Sequence, residues 1–87
     1  MRHEDFRVGD EFRVGDQLWR CTDIGARVIV AIRIDRVAVG GNRPELHRTL
    51  NRDQAEAEGW LNGPPYAVAE YVFDEDEQDG CAPVQRE

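Results

Sequence analysis

The chain has 87 residues, 18 acids against 11 basic residues, and a formal net charge of −7. That length bounds it to one domain, and a domain so small buries only roughly 60% of the surface that its unfolded chain exposes. Lysine and serine are both absent, which excludes lysine Schiff-base or lysine-base chemistry and a Ser-His-Asp triad.

A GC-rich coding sequence accounts for the use of arginine alone. No uncharged apolar run approaches the ~20 residues of a membrane span. The opening MRHEDFRVGD lacks the apolar stretch of a secretory signal, so the expected location is the cytoplasm. Charge is unevenly spread: residues 66–87 hold seven acids and one arginine, whereas residues 20–36 hold four arginines and two aspartates. A net charge of −7 opposes direct binding to nucleic-acid phosphates.

In chain order, residues 6–16 repeat FRVGD-E-FRVGD. Phe and Val two residues apart share a strand face. The repeat therefore predicts two short strands, Phe6–Val8 and Phe12–Val14, each closed by a Gly-Asp turn. Residues 18–34, LWRCTDIGARVIVAIRI, predict the central β-hairpin. A two-residue turn on Gly25 and Ala26 pairs Cys21 with Val30 and Trp19 with Ile32. That register gathers Trp19, Cys21, Val28, Val30, Ile32 and Ile34 on one face and leaves Arg20 and Arg33 on the other, accessible one.

Val37 and Val39 continue an alternating pattern, Gly40-Gly41-Asn42 makes a turn, and Pro44 bars a central strand. Residues 45–50 show no clear preference. Asn51 with Gln54 forms a capping box for a short helix that Gly59 stops, and Trp60 and Leu61 anchor it to the core. NGPP at 62–65 is a turn. Tyr66–Phe73 reads as a strand from its β-branched and aromatic content, with a helix from Pro65 as the alternative. Asp74 is placed to cap a helical turn ending at Gly80, and residues 82–87 are expected to fray.

The segments FRVGDxFR, WRCTDIGxRxIVAI, NGPPYAVAEYVFDE and the later DGC resemble a set of small uncharacterised bacterial proteins, some from phages and mobile elements. The resemblance spans roughly residues 6–36 and 60–81 and brings no function or functional residues with it. It implies a compact bacterial protein in which the acidic FDE…DGC end is part of the shared pattern. The connection between the blocks is shorter in the relatives, which marks 37–58 as an insertion.

The acidic run Asp74, Glu75, Asp76, Glu77, Asp79 is the most prominent candidate for partner binding. As a calcium loop it fails, because the positions for the required glycine and final glutamate hold Asp79 and Gln85. Its plainer reading is a solvated charged segment. Trp60, Tyr66 and Tyr71 flank NGPPY, and exposed aromatics beside such turns suit a binding hot spot, though they equally complete a small core. Arg20, Arg27 and Arg33 are the candidates for nucleic-acid binding, against the bland alternative of internal ion pairs. His3, His47, Cys21 and Cys81 lie at no metal-ligand spacing. Both cysteines are expected as free thiols, with Cys21 a small buried hydrophobe.

The expected fold is mostly β: a small, strongly bent sheet or SH3-like barrel with one short helix, an α+β sheet being the alternative. The expected function is that of a non-enzymatic acidic protein without metal or cofactor. It would occupy a basic partner surface, as a phage or mobile-element inhibitor of the anti-CRISPR kind does. A nucleic-acid-binding β-barrel using the hairpin arginines is the alternative.

Overall fold

Phe and Val alternate only once in each copy of the opening repeat, so tertiary pairing decides which copy extends. In the computed structural model, which describes residues 1–40 and 42–84, it is the second. The first copy follows a 3₁₀ turn at His3–Asp5 and bends at Gly9 (φ +93°). The Gly9 amide donates to the Cys21 carbonyl at 2.8 Å, and Val8 is left exposed rather than in a strand.

Among the described residues, seven strands and two α-helices follow in order: β1 (Glu11–Val14), β2 (Gln17–Ile24), β3 (Ile29–Arg33), β4 (Arg36–Val39), β5 (Arg48–Asn51), α1 (Arg52–Ala57), β6 (Tyr71–Phe73), α2 (Glu75–Asp79) and β7 (Cys81–Pro83). A second 3₁₀ turn, Pro44–Leu46, precedes β5. The protein is thus mostly β, with the short helix expected after Asn51 and a second at the helical turn that Asp74 was placed to cap.

The strands form a five-stranded antiparallel sheet, ordered β6-β3-β2-β1-β7, and a separate β4-β5 pair. Three consecutive strands meander, the fourth lies beside the third, and the fifth returns to the first across a short helix. This is the connectivity of an SH3-like sheet. The chain divides into two compact units, one of residues 1–33 with the segment from Glu70 onward, the other of residues 34–69. The expected insertion, 37–58, falls inside the second unit.

The hairpin register differs from the expected one. Gly25 N–H donates to the Val28 carbonyl, so Ala26 and Arg27 form the tip, one residue later than the sequence pattern placed it. The pairs are Ile24 with Ile29, Asp23 with Val30, Cys21 with Ala31 and Trp19 with Arg33. Between Cys21 and Asp23 the register slips at a bulge. The extra residue, Thr22, reverses the alternation of β2 beyond it: Cys21 and Ile24 both face the core while Asp23 is exposed. The Thr22 hydroxyl holds the bulge, 3.2 Å from the Val30 carbonyl and 3.1 Å from the Glu70 carboxylate.

Burying an apolar side chain contributes ~1.5–3 kcal/mol, and the first unit concentrates that gain in one cluster: Phe6, Phe12, Trp19, Cys21, Ile29, Ala31, Phe73 and Cys81. Its rings meet edge to face, Phe6 on Phe12 at 5.2 Å, Phe12 on Phe73 at 5.5 Å and Trp19 on Phe73 at 5.0 Å. Cys21 and Cys81 are free thiols within it. Residues 82–83, expected to fray, instead pair with β1, Phe12 opposite Pro83 and Val14 opposite Cys81. Residues 85–87 and Gly41, part of an expected turn, lie outside the described residues.

In the second unit β4 does not prolong the hairpin sheet but pairs with β5, Val37 opposite Leu50. Asn51 caps α1 as expected: its side chain accepts from the Gln54 amide at 2.8 Å, and the Gln54 side chain accepts from the Asn51 amide at 3.0 Å. Ala55 and Leu61 are buried, and the Trp60 amide donates to the Ala55 carbonyl.

Candidate partner-binding surface

Phe73 and Cys81 are both core residues, which ties down both ends of the acidic segment between them. Asp74 begins it as an N-cap, its carboxylate accepting from the Glu77 amide at 2.9 Å. One helical turn follows, ending at Gly80. Within that turn Gln78 faces inward and is 2% exposed. Its amide donates to the carbonyls of Phe73 and Arg27, each at 3.0 Å, joining α2 to β6 and to the hairpin tip. The N-terminal ammonium donates to the Gln78 and Cys81 carbonyls at 2.9 and 2.8 Å.

This anchoring leaves Asp74, Glu75, Asp76, Glu77 and Asp79 all exposed. Glu75 pairs with Arg27 at 2.7 Å. Among the described residues, Asp76, Glu77 and Asp79 have no ion-pair partner. Tyr71 and Val72, just upstream, are 53% and 59% exposed, and the Tyr71 ring rests edge-on against Trp19 at 5.4 Å. The acids are therefore held on a fixed turn with an exposed aromatic-aliphatic pair preceding it.

Not every expected site residue joins them. Trp60 and Tyr66 are half-buried in the second unit, where the Trp60 indole donates to Glu58 at 3.3 Å. The Tyr66 ring lies so close to Gly63 that a Cβ there would come within 2.6 Å of its atoms, so part of this tyrosine serves its own turn. Tyr71 alone of the three aromatics belongs to the unit that carries the acids. Sequence reasoning missed Gln78, Arg27 as a helix partner, and Val72. A lone amide among acids, four residues after an Asp cap, was the available signal for Gln78.

The three arginines of the nucleic-acid reading do not share a face. Arg20 lies opposite Ile32 and Arg33 opposite Trp19, on the two sides of the sheet, because the true register differs by one from the expected one. Arg20 is 3.9 Å from Glu11, and Arg27 is engaged by Glu75. Among the described residues no group of three His, Cys, Asp or Glu side chains could hold a metal ion. His3 Nε2 meets the Gly25 carbonyl at 2.7 Å.

Burial raises both thiols above their ordinary value of 9.0. The charges of Asp23 and Asp10 add to this at Cys21, and that of Glu77 at Cys81, while a hydrogen bond with the Asp23 backbone and the N-terminal charge oppose it respectively. A neutral, enclosed thiol is a poor nucleophile. A shallow cleft of about 320 Å³ beside α2 is lined by Arg2, His3, Arg27, Glu75 and Asp79, with both signs of charge mixed. No helix among the described residues is long and apolar enough to cross a membrane.

The fold and surface define a small, acidic, mostly β module. No family model, curated protein or solved structure matches the chain.

Proposed function

We propose that the protein is a non-enzymatic binding module that uses its acidic α2 surface to occupy a basic patch on a partner protein. The observation that carries this reading is the exposure of Asp76, Glu77 and Asp79, without ion-pair partners among the described residues, on a turn locked by Gln78. Preorganised charge speeds encounter with an oppositely charged surface and costs little ordering on binding. A partner surface built for nucleic-acid phosphates has the matching chemistry, and a phage or mobile-element inhibitor of the anti-CRISPR kind is the biological role that fits.

The test is charge reversal at Asp76, Glu77 and Asp79 together. Asp74 and Glu75 are spared because they cap α2 and pair with Arg27. Affinity capture from host lysate, compared between the wild type and this variant, should show a basic protein retained only by the wild type. Equal retention by both would rule the acidic surface out.

A further inference from the structure

The backbone of β6 carries an unmet pairing capacity. Cys21 spends its own amide and carbonyl on Asp10 and Gly9, at 2.9 and 2.8 Å, on the side away from β3. Its opposite residue Ala31 therefore turns its polar groups the other way, toward β6, where it faces Tyr71. Hydrogen-bonded pairs recur at every second residue of an antiparallel ladder. Ile29 with Phe73 is thus the next such pair, and Val72 between them directs its N–H and C=O away from β3. β6 is the last strand on that side of its sheet. No described residue makes a backbone hydrogen bond to Val72.

Around this point lie the exposed Tyr71 ring on one face and the exposed Val72 side chain on the other. Acids stand at both ends, Glu70 before the strand and Asp74, Glu75 and Asp76 after it. Edge strands are ordinarily blunted by short length, by charge or by cover; this one is three residues long and bordered by negative charge, which disfavours like-charged strands and leaves a basic one as the fitting addition. An extended peptide adding to such an edge gains main-chain bonds for affinity and side-chain contacts for selection.

We propose that the occupant of β6 is an extended, arginine- or lysine-bearing segment of a partner protein. It adds as a strand through the Val72 N–H and C=O, with its cations beside Glu70 and Asp74–Asp76. The argument for a basic occupant is charge complementarity, and it rests on the acidic-surface reading above. A second copy of this chain would bring the same acids against one another.

The test uses the full chain and a short peptide of alternating arginine and valine. Binding should slow exchange of the Val72 amide by roughly tenfold or more. Val72→Pro removes the outward donor at a position where an edge strand tolerates proline, and it should weaken the peptide by roughly tenfold with all acids intact. Amide spectra establish that the variant is folded; if it is not, exchange at Val72 in the wild type decides alone. Peptide binding with Val72 exchange unchanged overturns strand addition while leaving the acidic-surface reading standing. Protection of Val72 that rises with protein concentration without peptide also overturns it, in favour of self-pairing. Absence of peptide binding overturns it too, and the charge-reversal capture then decides the acidic surface separately.

Discussion

The side-chain amide of Gln78 donates to the carbonyl of Phe73 at 3.0 Å, and the same nitrogen reaches the carbonyl of Arg27. One amide thereby fixes the acidic turn to a strand and to the hairpin tip at once. Gln78→Ala should cost about 2–3 kcal/mol, since two carbonyls lose their donor, that of Phe73 in a buried bond and that of Arg27 in a part-buried one. Urea unfolding reads this as a lower midpoint with an unchanged slope. A midpoint within error of the wild type would show that α2 is held by something else.

The bulge at Thr22 offers a second measurement. Thr22→Val keeps the shape but removes the hydroxyl between the Val30 carbonyl and Glu70. The expected loss is about 1 kcal/mol, which lowers the melting temperature of a domain this size by roughly 4–8 °C. A variant as stable as the wild type would mean that packing alone sets the bulge.

The two thiols predict a pH dependence. Burial raises both above 9.0, so the folded state favours the neutral form more than the unfolded state does. Their contribution is fully present below about pH 9 and is lost as pH rises through the folded-state values. Stability should therefore fall on the alkaline side, and the fall should flatten when Cys21 and Cys81 are both replaced by alanine. At neutral pH neither thiol should react with a thiol reagent until denaturant unfolds the chain.

In the second unit, Asn51→Ala removes the cap of a six-residue helix. About 1 kcal/mol of local stability should go with it. Amide exchange should quicken in residues 52–57, while the protection of β1, β2 and β3 stays as it was.

Local chemistry was readable where a single residue type dictates a conformation. Asn51 with Gln54, and Asp74 with Gly80, marked both helices because a cap is a short-range hydrogen bond. The β content of 18–34 was equally plain. The register was not, because alternation of apolar residues cannot reveal an added residue such as Thr22, and one slip moves Arg20 and Arg33 to opposite faces. The repeat at 6–16 misled for a related reason: two identical pentapeptides take different conformations once only one has partners on both sides. At the candidate surface the acids were visible in the sequence, but the inward turn of Gln78 and the outward backbone of Val72 depend on pairings made far along the chain.

Ala31 faces Tyr71 across the β3–β6 ladder, so the chain leaves the sheet after Arg33 and rejoins it at Tyr71 at neighbouring points. Such a junction asks only for a hairpin turn. The cost of closing a longer excursion there grows only with the logarithm of its length. On chain entropy alone, the length of the segment between those two residues is therefore a weak constraint on the sheet.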